Sequence, residues 1–181
     1  MKIAITGHSR GIGKALYDHF TQQGHTCMGF SRSNGYDISK PQDITRILDA
    51  SEDCDVFINN AYHRFSQSNI LTHNFDRWKD LEKTIVVINS RTRFGQGLNR
   101  EYNMSKKQLH KDTIKCFTDP DKQCRVISIS PGYVETDLTK SVHGKVKMMT
   151  PQHCAELISW CVLQPFEVEI AELSMWLTRT E

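Results

Sequence analysis

The pair with the most chemistry in its spacing is Tyr102 and Lys106, in the run Tyr102-Asn103-Met104-Ser105-Lys106. Residues four apart lie on one face of a helix. A carbonyl that accepts a hydride builds negative charge on its oxygen and needs a proton donor beside it. A phenol titrates at about 10, too high to act well as a base in the reverse direction. A neighbouring ammonium favours the phenolate and lowers that value. Alone, the pair reads as two surface residues of a helix. Ser90, a hydroxyl twelve positions upstream, and Pro131-Gly132 downstream turn the reading toward a site.

A second signal lies near the start, Thr6-Gly7-His8-Ser9-Arg10-Gly11-Ile12-Gly13. It sits between a short Ile-rich run and an amphipathic stretch, the strand–loop–helix setting in which backbone N–H groups and a helix N-terminus hold phosphate. The bland alternative is a tight strand-to-helix turn with no ligand. In dinucleotide folds an acid about 20 residues further on binds the ribose hydroxyls. Here the second strand ends Phe30-Ser31-Arg32-Ser33, with no carboxylate. The Arg32 guanidinium and the Ser31 and Ser33 hydroxyls suit a 2′-phosphate instead; the alternative is that Arg32 is a solvated surface residue.

These segments, with Asp37-Ile38, Asn59-Asn60-Ala61 and Pro131-Gly132-Tyr133-Val134-Glu135-Thr136, occur in an order that resembles the short-chain dehydrogenase/reductase family along nearly the whole chain. The resemblance implies a three-layer, doubly wound Rossmann-type α/β fold around a parallel sheet, with NADP(H) as cofactor and a small carbonyl or alcohol as substrate. It assigns proton transfer to Tyr102, the nicotinamide ribose to Lys106 and the substrate oxygen to Ser90. It assigns the pyrophosphate loop to Gly7, Ser9, Gly11, Ile12 and Gly13, and the 2′-phosphate to Arg10, Ser31 and Arg32. Asp37 and Ile38 would hold the adenine, Asn59, Asn60 and Ala61 would flank the adenosine and ribose, and Pro131, Gly132, Val134 and Thr136 would meet the carboxamide.

The elements that must position these residues alternate as an α/β domain does. Strands are expected at Lys2 to Thr6, His25 to Phe30, Val56 to Ile58, Thr84 to Ile88, Arg125 to Ile129 and Ile170 to Leu177. Helices are expected at Gly11 to Gln23, Pro41 to Ala50, Tyr102 to Cys116 and Pro151 to Leu163, with Ile70 to Lys83 partly helical. The 181 residues suit one domain. The net charge of +2 is too mild to point to nucleic acid. No apolar run is long enough to span a bilayer, no leader is expected ahead of the first strand, and no Cys and His grouping has zinc spacing, so no metal is expected. Of the six cysteines, several lie in runs that read as buried strands or helices, where a free thiol behaves as a small hydrophobe, and a reducing cytoplasm is expected.

Three features depart from the family pattern. Asp37 follows Arg32 by only five residues, so the usual intervening helix and outer strand are missing. Only thirty positions separate Asn60 from Ser90, which trims the helix that carries the relay asparagine and builds a dimer interface; neither Asn69 nor Asn74 fits that role by spacing. Tyr62 replaces the usual glycine after Asn-Asn-Ala and would narrow the nicotinamide end. These trims leave open whether the chain forms a homo-oligomer. Arg91, Arg93 and Arg100 near the expected pocket raise an anionic substrate against a solvated basic loop. An NADP-binding regulator without turnover is the alternative function. An epimerase of the extended type is disfavoured, because only 45 residues follow Thr136.

Overall fold

The structure, a computed structural model, describes residues 1–94 and 99–177. Six strands form one parallel sheet: β1 (Lys2–Thr6), β2 (Thr26–Phe30), β3 (Val56–Asn59), β4 (Thr84–Ile88), β5 (Arg125–Pro131) and β6 (Glu172–Met175), in the spatial order β2-β1-β3-β4-β5-β6. Parallel neighbours need crossovers, and five α-helices supply them: α1 (Gly11–Gln22), α2 (Pro41–Ala50), α3 (Ser66–Trp78), α4 (Arg100–Phe117) and α5 (Pro151–Val162).

Strand alternation divides the core into two layers. Ile3, Ile5, Val56, Ile58, Val86, Ile88, Ile127 and Ile129 face α1 and α5, packing on Leu16, Phe20, Ala155 and Ile158. Ala4, Phe57, Ile85, Val87 and Val126 face the other way, onto Ile47, Leu48, Ile70, Leu71, Trp78 and Leu109. Burying each large apolar side chain contributes about 1.5–3 kcal/mol, so both faces must be covered for the sheet to persist. The five cysteines other than Cys27 lie in these layers as buried free thiols, and burial pushes Cys116 and Cys154 up to about 12. No described helix is long and apolar enough to cross a membrane.

The trimmed second unit has a simple outcome. After β2 a 3-10 turn (Arg32–Asn34) leads to α2, which crosses back over β1 to β3, and β2 remains the edge of the sheet. The chain reverses direction of winding between β1 and β3, the place where open α/β sheets form their ligand crevice.

Helix α3 begins four residues before the expected Ile70 and ends at Trp78 rather than Lys83. Its first turn holds Ser66, Gln67 and Ser68, all buried, so no apolar period marks it. Helix α4 likewise starts at Arg100, where Asn99 caps it by accepting from the Tyr102 N–H at 2.7 Å. Strand β6 is shorter than the expected run and ends at Met175.

Candidate active site

The C-terminal ends of the strands open into one cleft of about 1460 Å³, bordered by the loops after each of them. Its floor is the glycine loop. Gly7 donates its N–H to the Phe30 carbonyl at 2.7 Å. Gly11 takes a φ of +55°, which favours glycine. A Cβ on Gly13 would overlap the Gly7 carbonyl, so the helix can approach the loop only there without a side chain. Helix α1 starts with no side-chain cap and no acid in its first turn, leaving its first N–H groups for an anion.

Thr6 ties this loop to the next. Its Oγ1 accepts from the Asn60 and Ala61 N–H groups at 2.9 and 3.0 Å, while the Asn60 amide donates to the Thr6 carbonyl at 2.9 Å. The segment after β5 closes from the other side: a Cβ on Gly11 would stand 3.1 Å from Thr136 Cγ2. Gly132 donates to the Met175 carbonyl at 2.8 Å, and Val134 pairs with Met149 as an isolated bridge. Gly7, Ser9, Arg10, Gly11, Ile12, Asn60, Ala61, Pro131, Gly132, Val134 and Thr136 all border the cleft. Asn59 does not: it is fully buried and donates to the Gln67 backbone carbonyl at 2.8 Å.

Beyond β2, Ser31, exposed Arg32 and Ser33 border the same cleft. Asn34 shapes their turn, accepting from the Ser31 N–H at 2.8 Å and donating to the Gly29 carbonyl at 2.8 Å. Asp37 is held by an N–H to Asp43 at 3.0 Å, and the Ser39 N–H bonded to its carboxylate keeps that carboxyl below its usual range. Ile38 is buried below the rim. The Arg10 guanidinium lies 3.4 Å from Asp137, an exposed pair that water screens strongly.

At the opposite end, Ser90, Tyr102 and Lys106 come together, all buried and all bordering the cleft. The Ser90 hydroxyl stands close enough to the Tyr102 phenol to act on its titration, and its Oγ accepts from the Thr92 N–H at 3.2 Å. Tyr62 packs edge-on against Tyr102 with ring centroids 4.8 Å apart, narrowing this end. The Lys106 Nζ donates to the Gln67 Oε1 at 2.6 Å and to the Ile88 carbonyl at 2.8 Å.

The electrostatics differ from the simple expectation. Burial raises the Tyr102 pKa; the Ser90 hydrogen bond opposes this and Tyr62 adds to it. Burial lowers Lys106 from 10.5 to about 7. Desolvation outweighs the mutual help of phenol and ammonium, because the Nζ is engaged by neutral acceptors and sits 5.6 Å from the Tyr102 ring. This carries a stability consequence. Below pH 7 the fold must hold a buried ammonium; between 7 and 10.5 the unfolded chain binds the proton and the fold does not, so rising pH stabilises the fold. Relative to Lys106→Met, the cofactor-free wild type should gain up to about 4 kcal/mol between pH 7 and 10 in urea unfolding. Parallel pH profiles for the two proteins would contradict the buried-ammonium assignment.

Sequence reasoning missed Gln67 and Trp176. The Arg91 guanidinium lies 3.8 Å from the centroid of the Trp176 ring, which borders the cleft. Arg100 is exposed at the start of α4, and the side chain of Arg93 lies outside the described residues. Asn69 is exposed, and Asn74 is buried with neither amide atom hydrogen-bonded among the described residues. Pro-Gly and Tyr-x-x-x-Lys patterns are visible in a sequence; a glutamine at a helix start is not.

No family model and no curated protein matches the sequence. Solved structures do match the fold. An alcohol dehydrogenase from the archaeon Thermococcus sibiricus, complexed with 5-hydroxy-NADP, superposes with a TM-score of 0.82 at 21% identity, covering 99% of this chain and 98% of that one. A short chain dehydrogenase from Burkholderia cenocepacia J2315, in complex with NADP, gives 0.82 at 19% identity over 97% and 88%. The 3-alpha-hydroxysteroid dehydrogenase from Pseudomonas sp. B-0831, complexed with NADH, gives 0.79 at 18% over 96% and 94%. The chain therefore has the short-chain dehydrogenase fold.

Proposed function

We propose that this protein is an NADP(H)-dependent oxidoreductase that interconverts a carbonyl and an alcohol, with Tyr102 as its acid and base. The observation that carries the reading is the meeting of three buried side chains, Ser90, Tyr102 and Lys106, at one end of the cleft whose floor is the glycine loop. The cleft exceeds the roughly 300–1,000 Å³ typical of small-ligand pockets, which suits a dinucleotide and a substrate together. The uncapped α1 N-terminus and the side-chain-free approach at Gly13 fit a pyrophosphate, and Arg32 with Ser31 and Ser33 fits a 2′-phosphate. When bound there, the nicotinamide supplies or accepts the hydride.

The chain's residues do the rest. Ser90 donates to the substrate oxygen and orients it. Tyr102 delivers a proton to that oxygen in reduction and takes it back in oxidation. Lys106 directs its remaining N–H into the cleft and favours the phenolate when protonated. Tyr62 and the exposed Trp176 limit what enters. Arg91, steadied by the Trp176 ring, favours a substrate with an anionic group. The trimmed helix before Ser90 and Tyr62, which crowds Tyr102, favour the alternative of an NADP-binding regulator without turnover.

The test is titration with NADPH and NADH, followed by NADPH oxidation against paired neutral and acidic aldehydes and ketones. NADPH should bind at least about tenfold tighter than NADH, with the difference lost in Arg32→Ala. Equal rates on neutral and acidic partners, in wild type and Arg91→Ala alike, would remove the anionic preference. Binding without turnover across the panel would select the regulator.

A further inference from the structure

Gln67 is 2% exposed in the first turn of α3, and every polar atom of its side chain is engaged. Its Nε2 donates to the carbonyls of Asn59 at 2.9 Å and Ile88 at 3.1 Å. Both amide hydrogens are therefore taken by groups that can only accept, and turning the amide over would set its oxygen against two carbonyls and its NH2 against the ammonium. This fixes Oε1 as an acceptor facing Lys106. An ammonium has three N–H donors. Gln67 Oε1 and the Ile88 carbonyl take two, and the third is left on the side that borders the cleft with Tyr102.

The surroundings of the Nζ make the choice of a neutral acceptor matter. From α4 it is faced by Tyr102, and from the loop after β3 by Tyr62, with rings 5.6 and 5.8 Å away. His63, in the same loop, is turned to Ser66 at 3.3 Å. Helix α3 presents only the Gln67 amide and β4 only a backbone carbonyl. No described carboxylate pairs with Lys106. A glutamate in place of Gln67 would hold the lysine charged to higher pH; an amide grips it equally close and leaves its charge freer to change.

We propose that Gln67 is the positioning residue of the site, a direct side-chain clamp that aims one Lys106 N–H at the cleft while leaving the lysine able to gain and lose its proton. The inference rests on the reading of Tyr102 and Lys106 as the proton-transfer pair. It also explains how a chain with a trimmed helix and no family-positioned relay asparagine keeps its lysine in place: α3 begins early and lays its first turn against the ends of β3 and β4.

The test compares wild type with Gln67→Glu and Gln67→Met. The first readout needs no cofactor: the titration of the Lys106 side chain, followed by NMR on lysine-labelled protein with Lys106→Met as the assignment control. The second is the pH profile of kcat for NADPH-dependent reduction of 4-nitrobenzaldehyde. In Gln67→Glu the lysine should titrate about 2 pH units higher, and the Lys106-dependent limb of the kcat profile should move with it. In Gln67→Met, kcat should fall roughly tenfold or more, as misplacing a catalytic group does. A Lys106 titration unmoved in Gln67→Glu would overturn the clamp, as would kcat unchanged in Gln67→Met. If Gln67→Met fails to fold, the Gln67→Glu titration decides alone. A titration that moves while no variant, wild type included, turns over the aldehyde upholds the clamp and counts instead against the catalytic reading.

Discussion

In Tyr102→Phe, carbonyl reduction should fall roughly a thousandfold while NADPH affinity stays within about threefold of wild type. A positioned general acid is worth about 10²–10⁴ in rate, and the substitution removes one oxygen with little change in volume. The ring should stay in place, because it is packed edge-on against Tyr62 and its backbone N–H is bonded to the Asn99 cap. The lost hydroxyl is the one beside Ser90, which keeps Thr92 as its partner, so the pocket does not collapse. Steady-state kinetics with a fluorescence titration of NADPH check this. Residual turnover within tenfold of wild type would mean that another group supplies the proton.

The second large effect is on stability. Arg125→Met should unfold at a temperature roughly 10 °C lower. Arg125 is 6% exposed at the start of β5. Its guanidinium donates to the carbonyls of Val162, Gln164, Pro165 and Val168 and to Thr84 Oγ1, at 3.0 to 3.3 Å. It therefore gathers the carbonyls at and beyond the C-terminus of α5, where the helix cannot satisfy them itself. Methionine fills the space and leaves those acceptors buried without donors, a loss of about 3–5 kcal/mol. In a domain of this size each kcal/mol moves the midpoint by about 2–4 °C. Arg125→Lys should recover only part, because an ammonium cannot reproduce the planar fork. A midpoint within 2 °C of wild type would show that water replaces the guanidinium. The effect bears on the site as well: the turn Arg125 holds delivers β6, whose Met175 carbonyl anchors Gly132.

The parallel sheet and most helices were legible because their information is periodic and local. Alternating Ile and Val residues mark β1, β4 and β5, and one apolar face marks α1, α2 and α5. The meeting of Ser90, Tyr102 and Lys106 at one end of the cleft was legible because they form a spaced pattern, and the missing outer strand because Asp37 follows Arg32 so closely. What the sequence hid is contact made through polar atoms far apart in the chain. Gln67 reads as an unremarkable amide, yet it grips Lys106; Asn59 reads as a cofactor contact, yet it is turned from the cleft into the protein. The same holds for the lysine itself. Its proximity to Tyr102 predicts a lowered phenol pKa, but burial acts on both groups and depends on packing that no spacing reveals.

Strand β2, with β1 as its sole neighbour in the sheet, has half the cross-strand bonding of the strands inside it. Its outward amides have no ladder partner, so they should exchange their hydrogens with water soonest, and the strand should open before β1 or β3 does. Asn34 blunts the exposed edge by occupying the Gly29 carbonyl, which takes one acceptor from any strand of another chain that docks there. The residues that would meet a 2′-phosphate ride on this least protected strip. A nucleotide gripped by Arg32 would therefore slow that opening in proportion to its affinity, and the edge of the sheet becomes a built-in reporter of occupancy.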